Sequence, residues 1–305
     1  EAQNWQEKTI QSTIDHVQPF TGIVFWSSNE AHHDSESIAL EFSYMLFNEV
    51  VSDSATYDWS AVEEKLDDVA SRNHQVVFRF RFVYPGYQTS VPDYIKEMAD
   101  YNETEGVTEG QTTWFPDWTH PELKRFTLDF YRRFAERYDQ DPRLAYVQVG
   151  FGLWGEYHIY DGPFNLGETF PSKEFQESFF YHLDSVFHET TWSISIDAAD
   201  DTYSPFEANP DLKDLEFGLF DDSFMHENHG GYNTNSWNFF GRDRYQQSPA
   251  GGEFSYYSQY DQEHVLDPVD GPYGKNYEAF ARDFHITYMN GNDQPRYQSM
   301  ERIKE

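Results

Sequence analysis

The chain has 305 residues, no cysteine and a formal charge of −33, from 54 acidic against 21 basic side chains. That charge disfavours nucleic acid and anionic membrane surfaces as partners, and the lack of cysteine excludes disulfides and thiolate chemistry. No stretch approaches the roughly 18 apolar residues of a membrane span.

In chain order, Phe20 to Ser28 reads as a first strand and Leu40 to Phe47 as a second extended run. Asp58-Trp59-Ser60 opens a helix to about Ser71, with Ser60 and Glu63 spaced as a capping box. Val76 to Phe82 is the third strand. Its arginines, Arg79 and Arg81, alternate with Phe78, Phe80 and Phe82, so the arginines share one face. Residues 84–118 give a short helical piece near Pro92 to Ala99 and then a long acidic, aromatic loop. Thr119 and Glu122 form a second capping box before an amphipathic helix to about Tyr138.

The apolar run Leu144 to Val149 is the fourth strand, and it breaks into Gly150, Gly152 and Gly155. Trp154, Glu156 and His158 follow that break at once. Ser172 caps a helix to about Glu189, Thr191 to Ile196 is strand five, and Glu216 to Asp222 is strand six. Asn233 to Arg244 is partly helical. A short strand seven in SPAGGEFSYYS, from Ser248, carries Glu253 at its end. Asn276 to about Phe284 is a helix, His285 to Met289 is strand eight, and Arg296 to Glu305 is a last helix.

Eight strands with helices between them point to a single (β/α)8 barrel over residues 1–305, a fold whose active sites lie at the C-terminal strand ends. A further C-terminal domain beyond this chain is compatible with that reading. The competing fold is a doubly wound open sheet, but no G-x-G-x-x-G follows the first strand.

Glu156 and Glu253 each lie just past a strand and beside glycines, on strands that stand nearly opposite each other in a barrel. Paired carboxyls across a cleft are what glycoside hydrolysis needs: one protonates the leaving oxygen, the other attacks the anomeric carbon or activates water. The 19% aromatic content also suits a cleft that stacks flat, hydroxylated ligands. The bland alternative is two ordinary surface glutamates in a very acidic chain.

GLWGEYH together with PAGGE resembles the clan of retaining (β/α)8-barrel glycoside hydrolases. More narrowly the chain is similar to uncharacterised bacterial β-galactosidase-like barrels with a G-x-W-G-E-[WY]-H motif. YDWSAVEEKLDDVASRNHQVVFRF and MNGNDQPRYQSMERIKE also look like that group. The resemblance implies Glu156 as acid/base, Glu253 as nucleophile and a carbohydrate substrate; nothing in the sequence suggests a nucleotide or redox cofactor. Many clan members carry Asn directly before the acid/base, where it holds the sugar 2-hydroxyl. Here that position is Gly155.

Around the pair, Arg79 and Arg81 are candidates to keep the nucleophile ionised or to bind a sulfate or carboxylate on the sugar, with an ion pair to Glu41 as the structural alternative. His158, Asp221 and Asp222 are candidates for sugar hydroxyls, and Trp26, Trp154 and Tyr256 for stacking. Asp197, Asp200 and Asp201 offer hard oxygens for a calcium ion but no EF-hand spacing. His226 and His229 lack the H-E-x-x-H pattern of a zinc site, so no metal is expected. The reading is an exported, cofactor-independent retaining glycoside hydrolase acting on a polysaccharide or its oligosaccharides, with a β-galactoside of a marine galactan as first guess. Its rival is a non-catalytic glycan-binding barrel.

Overall fold

The computed structural model describes residues 18–30, 33–255, 257–266, 274 and 276–291. Eight parallel strands close on themselves: β1 (Gly22–Trp26), β2 (Leu40–Leu46), β3 (Gln75–Arg81), β6 (Leu144–Val149), β7 (Thr191–Ser195), β8 (Gly218–Phe224), β9 (Ala250–Phe254) and β10 (Tyr288–Asn290). β1 pairs with both β2 and β10, which rules out the open doubly wound sheet. The expected last helix lies outside the described residues. No helix among the described residues is long and apolar enough to cross a membrane.

Strand alternation divides the apolar side chains into two bodies. Phe78 and Phe80 of β3 face outward; Phe80 packs on Phe47, Phe130 and Phe134, and Phe78 on Phe80. Val24, Leu40, Phe42, Val77, Tyr146 and Tyr288 face inward and fill the lumen. Arg79 and Arg81 have the parity of Val77, so the chain sends both guanidiniums into the barrel, one step apart along β3. The register aligns Tyr44 with Arg79 and Leu46 with Arg81.

Three local expectations are corrected. Residues 104–115 form an antiparallel hairpin, β4 (Thr104–Thr108) and β5 (Gln111–Phe115), where a loop was expected. Its turn, Glu109-Gly110, has φ of 49° and 72°, the left-handed pair of a two-residue hairpin. Neither capping box forms. Asp58 accepts from the Ser60 amide at the start of α1 (Ser60–Ala70), while Glu63 pairs with Arg137 and Arg143. His120 caps α2 (Pro121–Tyr138), and Glu122 pairs with Arg125. In each case a charged partner outcompetes a backbone N–H for the glutamate.

Candidate active site

β6 ends in a knot of backbone that fixes Glu156. The amide of Gly152 donates to the Glu156 carbonyl at 2.8 Å, and that of Leu153 to the His158 carbonyl at 3.0 Å. A Cβ on Gly152 would lie 2.1 Å from that His158 oxygen, so only glycine fits. Trp154 and Gly155 then adopt left-handed φ of 56° and 74° in succession. The Trp154 amide bonds the Val83 carbonyl beyond β3, tying the turn to the neighbouring strand. A non-glycine residue held at positive φ is a strained position that the surroundings must enforce.

The result is a buried carboxyl aimed at Arg79. Glu156 is 3% exposed, Glu253 5% and Arg79 1%. Arg79 Nη1 donates to Glu156 Oε1 at 2.5 Å, and Nη2 lies 3.6 Å from Glu253 Oε1. Its Nε donates to Gln148 Oε1 at 2.8 Å, and the guanidinium lies over the Phe220 ring at 4.4 Å. One guanidinium therefore faces both carboxyls. The sequence led us to expect arginine support for Glu253; the shorter contact is with Glu156. Glu41, the alternative partner, binds Arg72 and His74 instead.

His158 adds a second hub. Its Nε2 lies 3.1 Å from Glu156 Oε2, 3.4 Å from Asp222 Oδ2 and 3.9 Å from Asp197 Oδ2. Burial alone would lower the imidazole, but hydrogen bonds to Asp222 and Glu156 and the charge of Asp197 lift it well above its ordinary value. Asp222 is pushed up by burial yet drawn down, to about 2, chiefly by His158. Burial, then the charge of Asp222, raises Glu156 to about 8 against the pull of Arg79. Burial raises Glu253 to about 7; Arg79 lowers it and Asp222 adds to the rise. Both carboxyls thus hold their protons well above the ordinary carboxylate range, as a general acid requires.

His158, Asp197 and Asp222 line an open cavity of about 580 Å³ together with Asp200, Tyr203 and Tyr232 among others. Trp154 is half-buried, edge-on to Tyr84 at 6.5 Å and stacked on Tyr160 at 6.2 Å. Trp26 sits at the end of β1 against Phe42 and Tyr44. Arg81, by contrast, contacts neither carboxyl. Asp221 is also apart: it points out of the barrel and accepts from Trp237 Nε1 at 3.0 Å and Asn233 Nδ2 at 2.9 Å. Tyr256 lies outside the described residues.

Three neighbours escaped the sequence reading. Tyr44 faces Arg79 at 5.7 Å, and Gln148 links Arg79 to Tyr288. Asp197, read as part of a calcium cluster, turns toward His158, whereas Asp201 pairs with Lys173. Inward parity along β2 and β6 is a signal that could have found Tyr44 and Gln148. Among the described residues, Glu156, His158 and Asp222 are the set whose donor atoms, all within 4.8 Å of one another, could surround a metal ion. Gly155 explains the missing asparagine. A Cβ there would meet Arg81 Cβ at 3.2 Å and the Arg79 stem at 3.3 Å, on a left-handed backbone.

No protein-family model and no curated protein sequence matches the chain. Solved structures do. The lactosyl-enzyme intermediate of endo-glycoceramidase II from Rhodococcus sp. superposes with a TM-score of 0.54 at 12% identity, over 91% of this chain and 73% of that one. Xylanase B from Clostridium stercorarium F9 gives 0.53 at 11%, over 89% and 85%. The fold is a (β/α)8 barrel. At such identities the likeness carries the architecture alone.

Proposed function

We propose that the chain is a retaining glycoside hydrolase, with Glu156 as general acid/base and Glu253 as nucleophile. The observation that carries this reading is the pair of buried carboxyls, from the ends of the fourth and seventh barrel strands, facing one guanidinium. Glu156 would protonate the glycosidic oxygen while Glu253 attacks the anomeric carbon; Glu156 then takes a proton from the water that releases the sugar. Arg79 would keep Glu253 ionisable despite its burial, and His158 would hold the second oxygen of Glu156 in place.

The fold is shared with an endo-glycoceramidase captured as a lactosyl-enzyme intermediate and with a xylanase, and it sets Glu156 and Glu253 at the strand ends where the proposed reaction needs them. We propose an exported enzyme for polysaccharides or their oligosaccharides, with β-galactosides of a marine galactan as the first class to assay on the strength of the GLWGEYH resemblance. The depth of burial of both carboxyls, with Gly155 in place of asparagine, favours as second reading a barrel that binds glycans without cleaving them.

Glu156→Gln tests the assignment. Its turnover of oligosaccharides should fall at least 100-fold, while an activated aryl glycoside, whose leaving group needs no proton, loses much less. The first anomer released, followed by NMR, should retain the substrate configuration. Equal loss on both substrates, or inversion, refutes the roles; no cleavage of any glycan by the unmodified chain leaves the binding reading.

A further inference from the structure

Arg81 is a cation of the barrel mouth that the chemistry above does not use. It stands one inward step beyond Arg79 on β3, about 6–7 Å further toward the open end. Its side chain is partly buried, and its Nε is buried with no hydrogen-bond partner. Among the described residues the guanidinium makes no ion pair. It feels the charge of exposed Glu49 without pairing with it.

That solitude is unusual in this chain. Arg72, Arg79 and Arg143 all hold carboxylates, and Arg244 holds backbone carbonyls. With 54 carboxylates available, partners are not scarce. A partly desolvated guanidinium without an anion is costly. What holds this one is aromatic: it lies 4.3 Å from the Tyr84 ring and 5.5 Å from that of Tyr44. Stacking uses the faces of the guanidinium and leaves its N–H edge for a ligand.

The surroundings suit a sugar. Trp26, Tyr44, Tyr84 and Tyr87 follow one another with ring centroids 5.4, 5.9 and 5.5 Å apart, and Tyr87 is 59% exposed. Tyr87, the exposed ring of the four, offers a stacking surface for a pyranose face. The 580 Å³ cavity differs in character: among the described residues Asp197, Asp200 and Asp222 line it together with His158, His226 and His229, and no lysine or arginine does.

We propose that Arg81 forms an anion subsite, taking a sulfate ester or a carboxylate on a sugar seated against the exposed Tyr87 ring, so that the substrate is a charged glycan. This deepens the glycoside hydrolase reading and rests on it for turnover, though not for binding. A guanidinium gives two parallel bonds to either oxyanion. The acidic surface repels such a glycan at long range, so the contact must be local and shielded.

The test compares two matched pairs: a sulfated galactan tetrasaccharide with its desulfated form, and an oligogalacturonide with its carboxyl-reduced form. Calorimetric Kd and kcat/KM are measured for the unmodified chain, Arg81→Gln and Arg81→Lys. The unmodified chain should prefer the anionic member of one pair by about 10- to 100-fold, the range of one charge-assisted contact. The favoured pair identifies sulfate or carboxylate. Arg81→Gln should bring that preference close to one while changing the neutral member less than about 3-fold, and Arg81→Lys should keep part of it. Arg81-dependent binding without turnover sinks the hydrolase reading and keeps the subsite. Preference for the neutral members, an anionic preference that survives Arg81→Gln, or binding of neither anionic probe overturns the subsite and leaves the hydrolase reading standing.

Discussion

Replacing Arg79 with methionine should destabilise the protein in a pH-dependent way. Arg79 is 1% exposed and bonds Glu156 at 2.5 Å and Gln148 at 2.8 Å, with Glu253 at 3.6 Å. Methionine replaces the stem between Phe42 and Phe220, so the main loss is electrostatic. Removing one partner of a buried pair costs about 3–5 kcal/mol while the other stays charged. Here the carboxyls can escape by protonation. Both already sit high, at about 8 and about 7, with Arg79 pulling each down; without it they rise further. A carboxyl raised by folding stabilises fully below its unfolded value, and that contribution is lost as pH rises through its folded value. The variant, with the higher folded values, loses more of it. The gap from the unmodified chain should be small at pH 5.5, open through pH 7–8 and reach about 3–5 kcal/mol near pH 9. At roughly 2 °C per kcal/mol in a chain of this size, that is a Tm lower by about 6–10 °C. Thermal melts followed by near-ultraviolet circular dichroism at pH 5.5, 7 and 9 measure it. An equal fall at pH 5.5 and pH 9 would refute the assignment of charge around Arg79.

The same raised values set the activity profile. One carboxyl must be ionised and the other protonated, and burial raises both, so kcat/KM should trace a bell displaced above the ordinary carboxylate range; an optimum below pH 6 contradicts it. Gly155→Ala and Gly110→Ala both place a side chain at left-handed φ, of 74° and 72°, and each should cost about 1–2 kcal/mol in urea titrations. Only Gly155→Ala crowds Arg79, at 3.3 Å, whereas Gly110 is surrounded by open space. Activity should therefore fall at least tenfold for the first and stay unchanged for the second, and matching losses would return Gly155 to a purely conformational role.

What could be read from sequence follows a simple division. Parity along one strand is local, so the shared face of Arg79 and Arg81 was visible, as was Glu156 beyond its strand; Glu253, expected just past strand seven, lies within β9 and pairs with Asn290. Register between strands is not local. That Tyr44 stands beside Arg79 depends on how β2 slides against β3, and nothing in Leu40 to Phe47 states it. Asp197 was noticed for its acidic neighbours, yet its role comes from His158, which another strand's turn delivers. The hairpin of β4 and β5 went unread because residues 104–115 have few apolar side chains to alternate; the left-handed Glu109-Gly110 turn was the better signal. Asp221 and Asp222 show the limit of adjacency. Consecutive strand residues face opposite ways, so one joins the lumen and the other a structural bond to Trp237.

The two hubs of the site divide unequally along the chain. Arg79, Gln148, Glu156 and His158 all precede β7, whereas Asp197, Asp222, Glu253 and Tyr288 come from β7 onward. A barrel severed between β6 and β7 would give a front fragment holding both site cations and a rear fragment holding three site carboxyls and neither cation. The rear fragment could bury those groups only by keeping them protonated, so it should associate with the front fragment most tightly where they ionise. Charge would then act as the recognition code between the two pieces, and the reacting centre would come into being only at their seam.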